Sequence, residues 1–186
     1  RMLLTRDILL FLGGFAMFNV CLLAVLSFVP TILQMQGIDP TWSGFVSTAP
    51  MLLSVASSPL FGAISDRRGR CKALLVAASA VMGPCTFLLY TDTGALMLIA
   101  VAVMGLVGMG GVALFLSGFI GLVPRPELAS VGMGLMVTVQ GVGQFLGTFL
   151  VQMLLGPALD HRFLAGGVLM GLGLAGTILL ALCRMR

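Results

Sequence analysis

Apolar residues dominate this chain in six long runs, and polar residues gather at the short joints between them. The runs cover residues 8–33, 43–64, 73–90, 95–122, 128–156 and 163–183, and none has a charged residue in its interior. A membrane-crossing helix needs about 20 apolar residues, whereas a membrane barrel strand alternates over about 10. The unbroken runs therefore predict helices, which satisfy their own backbone groups where no water is present. The expected fold class is an all-α membrane protein: six transmembrane helices in one domain, residues 1–186, with no linker dividing it. The fourth and fifth runs are longer than a bilayer requires and should tilt, bend or project beyond the hydrocarbon.

The joints carry turn and cap signals. Gly37-Ile38-Asp39-Pro40 reads as a turn leading to a helix start near Ser43. Pro124 and Pro126 bracket the fourth-to-fifth turn, and Gly156-Pro157 ends the fifth helix.

Composition agrees with lipid as the solvent. Hydrophobic residues make up 59% of the chain, charged residues 9%, and the mean hydropathy is +1.16. A soluble domain needs far more charge on its surface. If the helices alternate direction, Arg1, Arg6, Arg67, Arg68, Arg70, Lys72, Arg125, Arg184 and Arg186 share one side, and Arg162 stands alone on the other. The positive-inside rule then puts both termini in the cytoplasm, with the helices in the cytoplasmic (inner or plasma) membrane. The net charge of +4 is thus a topology signal. It does not fit nucleic-acid binding, because the basic residues are few and sit at helix ends.

The first residue is Arg rather than Met, so the chain is expected to be a fragment or a processed product. Its first seven residues are too short and polar for a signal peptide. Cys21 and Cys85 fall within apolar runs, and Cys71 and Cys183 at the expected cytoplasmic surface. They show no metal spacing and no disulfide framework and read as packing residues; no cofactor or metal is expected.

One dense charge cluster interrupts this pattern: Gly62-Ala63-Ile64-Ser65-Asp66-Arg67-Arg68-Gly69-Arg70, a tight basic hairpin between the second and third helices. Gly62 and Gly69 permit close packing and a tight turn. Asp66 can accept hydrogen bonds from Arg67, Arg70 or a neighbouring helix N-terminus. A weaker echo ends the fifth helix, where Gly156 precedes Asp160, His161 and Arg162 on the opposite side. The pair is the pattern expected of two three-helix units related by an in-plane two-fold axis, a 3+3 inverted repeat. Chance is the competing explanation, since Gly and Asp are common at helix ends.

The segment Gly62-x-x-x-Asp66-Arg67-x-Gly69-Arg70 resembles the signature loop of the major facilitator superfamily, which joins the second and third helices of a six-helix half. Lys72 falls within the basic tail usual for that loop, and Cys71 stands where a second basic residue is common. The resemblance implies a half of a twelve-helix secondary transporter, working with the other six-helix half. It also implies a loop that latches one state of the transport cycle through Gly62, Asp66, Arg67, Gly69 and Arg70. The fourth helix carries no charge, Gly156-Pro157 lies at the exit of the fifth helix, and the chain stops just after the sixth. These features favour the C-terminal half.

Polar residues within the spans are the other candidates, because each must find a partner or face water. Gln140, Gln144, Thr148 and Gln152 recur every fourth residue and form a stripe on the fifth helix. The stripe serves either inter-helix hydrogen bonding or the lining of a pathway. Asn19 is the sole strongly polar mid-span residue of the first helix; by resemblance that helix lines the central cavity, and Asn19 binds substrate there or makes a cross-helix bond. Gly143 and Gly147, and Gly105, Gly108, Gly110 and Gly111 of the fourth helix, are read as sites of close helix packing. Pro50 and Pro59 mark expected bends in the second helix, near Ser47, Ser54 and Ser58.

Catalysis is not expected: the one histidine, His161, lies in a loop, and no span holds a buried Ser-His pair. The expected function is transport of a small organic solute by alternating access. The alternative is a non-transporting membrane scaffold or truncated transporter paralogue that acts only as an interaction module. A channel is disfavoured because no filter-like loop or acidic ring appears.

Overall fold

Asp39 decides where the second helix begins. Its carboxylate accepts hydrogen bonds from the backbone N–H groups of Thr41 at 2.9 Å and Trp42 at 3.3 Å, and Pro40 occupies the first helical position. Proline suits that position because its missing N–H would have no partner there. The helix therefore starts at Pro40, three residues before the expected Ser43, and the joint before it shrinks accordingly. Gly37 closes this joint with φ of 81°, a conformation that costs glycine little.

The computed structural model describes residues 5–68, 71–123, 126–156 and 161–184, apart from the side chains of residues 66–68 and 126. Six helices cover most of these residues: α1 (Arg6–Met35), α2 (Pro40–Arg68), α3 (Cys71–Thr91), α4 (Ala95–Leu122), α5 (Ala129–Leu155) and α6 (Arg162–Leu182). Among the described residues there is no strand. All six are long and apolar enough to cross a membrane. Thr5 caps α1 by accepting from the Ile8 N–H at 3.4 Å.

The most extensive helix seams are α2 on α4, α3 on α6, α3 on α4, α1 on α5 and α1 on α6. α1 sits deepest. Its Phe11, Phe15 and Phe18 are buried and close on Phe115 of α4, with ring centroids 5.8, 5.0 and 4.9 Å apart. Phe119 adds a further contact to Phe11 at 5.8 Å. α2 and α5 are the least enclosed: 22% of the apolar window of each is buried, against 61% for α1.

α4 is not a uniform helix. A π-helical turn at Met104–Gly108 and a 3-10 turn at Met109–Gly111 separate the α-helical pieces Ala95–Val103 and Val112–Leu122. The glycines let α2 and α3 approach this break. A Cβ on Gly105 would stand 2.9 Å from the Pro50 Cα, one on Gly108 would stand 2.8 Å from the Met82 sulfur, and Gly111 lies directly against Ala78. The Ser57 hydroxyl of α2 donates to the Gly105 carbonyl at 3.3 Å, serving a backbone acceptor within the break.

Candidate functional site

α5 presents two faces of different chemistry. On one, Gly143 and Gly147 stand one turn apart and press on the α1 backbone. A Cβ at Gly143 would lie 2.7 Å from the Ala16 carbonyl oxygen, and one at Gly147 would lie 2.8 Å from that of Val20. The nearest atoms opposite are backbone, so neither position has room for a side chain. Beside this seam runs the polar stripe: Gln140, Gln144 and Thr148 are half-buried and Gln152 is exposed. Thr148 turns its hydroxyl back to the Gln144 carbonyl at 3.1 Å.

Asn19 lies across the same seam. Its Cβ is 3.3 Å from the position of a Cβ on Gly143, so α1's mid-span amide and α5's amide row flank one helix contact. Asn19 is only 1% exposed, and its Nδ2 donates to the Phe15 carbonyl of its own helix at 2.9 Å. The buried phenyl rings of Phe15 and Phe18 lie on neighbouring turns.

The hairpin between α2 and α3 is short, since α2 runs to Arg68 and α3 begins at Cys71. Gly69 and Arg70, and the side chains of Asp66 and Arg67, lie outside the described residues, as do Pro157 and Asp160 of the echo. Gly62 is half-buried, and among the described residues nothing comes within 4 Å of a Cβ placed on it. Among the described residues, then, Gly62 makes no close packing contact. Cys71 directs its sulfur to the Leu114 carbonyl of α4 at 3.9 Å, beside Gly118.

Several anchoring contacts escape a reading of the apolar runs. The Tyr90 hydroxyl of α3 donates to the Ala24 carbonyl of α1 at 2.9 Å. Thr177 of α6 meets Ser79 of α3 at 3.4 Å. Gly83 and Gly173 bring α3 and α6 together: a Cβ on Gly173 would fall 2.6 Å from the Gly83 Cα. A lone tyrosine in an apolar span was the available signal for the first, because a buried phenol must find an acceptor. The described His, Cys, Asp and Glu residues form no group of three or more able to hold a metal ion.

Six membrane-length apolar helices, packed around a deep first helix and carrying a partly buried polar row on the fifth, define an integral membrane protein. The family model of the Major Facilitator Superfamily matches residues 1–148, and the chain belongs to that family of membrane transporters. The match runs from before α1 to Thr148, so it takes in every candidate position except Gln152. Neither a curated protein nor a solved structure matches the chain at a significant level.

Proposed function

We propose that this chain is one six-helix half, the C-terminal half, of a secondary active transporter that moves a small organic solute by alternating access. Its other half, whether in the same polypeptide or in a second chain, closes the pathway. The observation that carries this reading is the row Gln140, Gln144, Thr148 and Gln152, half-buried at its first three positions and exposed at the last, on a helix with little burial in this chain. Lipid penalises such a row, whereas a water-filled cavity between two halves accepts it. The described spans offer amides, hydroxyls and apolar surface rather than charge, which favours a solute held by hydrogen bonds and apolar contact. The uncharged α4 favours the C-terminal half.

The reading includes a two-fold relation between α1–α3 and α4–α6. Exchanging α1 with α4, α2 with α5 and α3 with α6 turns the α2–α4 seam into the α5–α1 seam, and the α3–α4 seam into α6–α1. The α3–α6 seam maps onto itself. The five most extensive seams thus map onto one another, which supports an inverted repeat. In this reading the nine-to-one placement of basic residues puts both termini in the cytoplasm. Asp66 and its arginines then latch α2 against the partner half beside the open flank of Gly62.

Cysteine substitution at 140, 144, 148 and 152, probed in membranes with a water-soluble maleimide, tests the proposal. Labelling above the background of the native cysteines at successive turns is the expected result. A row protected throughout supports the scaffold alternative instead.

A further inference from the structure

The two ends of the described chain meet at one end of the bundle and build a recess there. The Arg184 backbone N–H donates to Asp7 Oδ1 at 2.9 Å, and the Cys183 thiol donates to the Asp7 carbonyl at 3.3 Å. These contacts fasten the end of α6 to the start of α1. Beside them lies a cavity of about 550 Å³, lined by Arg6, Asp7, Lys72, Ala181, Leu182 and Arg184. A second recess of about 550 Å³, lined by Lys72, Ala73, Val76 and Ala181, opens next to it and shares Lys72 and Ala181 with the first.

The two recesses differ in chemistry. The first gathers three cations around one carboxylate, and that carboxylate is already engaged by a backbone donor. Lys72 stands in the first turn of α3, where backbone N–H groups without an intrahelical partner add positive character. The second recess is walled by the alanine and valine side chains of α3 and α6 and the aliphatic stem of Lys72. All three cations flank the ends of apolar runs, at the level where lipid headgroups lie. A soluble anion has no use for the apolar groove, and a neutral amphiphile has no use for three cations.

We infer that this double recess binds an anionic glycerophospholipid, its phosphate held by Arg6, Lys72 and Arg184 and an acyl chain laid along Ala73, Val76 and Ala181. The site lies outside the α1–α5 seam, so the inference stands whether or not that seam conducts a solute.

Native mass spectrometry of the full chain, purified in detergent and offered phosphatidylglycerol, phosphatidylcholine or inorganic phosphate, reads it directly. The wild type should retain phosphatidylglycerol over phosphatidylcholine on the order of tenfold, and the R6Q/K72Q/R184Q variant should lose that preference. Arg162→Gln, at the opposite end of α6, should leave it unchanged. Ala181→Trp, which fills the groove and keeps every cation, should also cut retention. Undiminished preference in the charge variant overturns the inference. So does displacement of the lipid by inorganic phosphate, or retention indifferent to Ala181→Trp. Should circular dichroism show the triple variant unfolded, the same comparison is made between Lys72→Arg, which should retain the preference, and Lys72→Gln, which should weaken it; equal retention in these two overturns the inference.

Discussion

Asn19 in α1 and Gln144 in α5 carry the same amide chemistry on opposite sides of one helix seam, yet the fold treats them differently. Asn19 is enclosed and donates to the carbonyl one turn back in its own helix. Gln144 is half-buried on a helix that this bundle leaves largely open. The first arrangement gives the amide a partner for its NH2 group within its own helix, as an interior polar group requires. The second is stable in lipid only if something else, water or protein, meets it. The difference separates residues that hold the six-helix bundle from residues that face whatever completes it.

The glycines of α5 offer the strongest way to break this division. Gly143→Leu would drive a side chain into the Ala16 carbonyl, and backbone cannot move aside as a flexible side chain can. The α1–α5 seam should open at a cost of about 3 kcal/mol. Gly141→Leu on the open side, where no described residue of another helix lies within 4 Å of an added Cβ, should change stability by less than about 0.5 kcal/mol. Thermal unfolding in detergent compares the two, and equal losses would show that the seam does not separate the faces of α5.

Asn19→Ala comes next. It removes a buried hydrogen bond and leaves a small void beneath Phe15 and Phe18, so a loss of about 1–2 kcal/mol is expected in the same measurement. Smaller again is Ser57→Ala, at the break in α4. It removes one cross-helix hydrogen bond to the Gly105 carbonyl, and such bonds average about 0.6 kcal/mol in membrane proteins. A loss at Ser57 larger than that at Asn19 would mean that the α4 break, rather than the α1 amide, is the bundle's critical polar contact.

The six spans were legible because length and apolarity alone set them: every expected run lies on an observed helix, with ends shifted by a few residues. α2 starts at Pro40, a few residues before Ser43, because Asp39-Pro40 is itself the cap and not only the end of a turn. The break in α4 was not legible. Gly105, Gly108, Gly110 and Gly111 announce close packing, but only the approach of α2 and α3 decides where the hydrogen-bond ladder slips to a wider turn. For Asn19, periodicity gives a position in the span but not the rotamer that turns the amide onto Phe15. The polar row on α5 was visible from its four-residue spacing, whereas its exposure depends on how five other helices pack.

Gln144→Leu should have the smallest effect on stability and is the sharpest test of the comparison. The amide is half-buried in this chain, and leucine has high helix propensity and suits lipid, so unfolding should shift by less than about 0.5 kcal/mol. Function should respond differently. In the complete transporter, removing one hydrogen bond to solute, worth about 1–1.5 kcal/mol, should lower solute affinity about tenfold. Solute uptake measured against concentration in proteoliposomes would show the loss, and Asn19→Ala should reverse the pattern, lowering the unfolding temperature more than the affinity. If Gln144→Leu destabilises the protein as much as Asn19→Ala while affinity holds, the amides of α5 are structural like that of α1. The open face of α5 would then be a packing surface rather than a pathway wall.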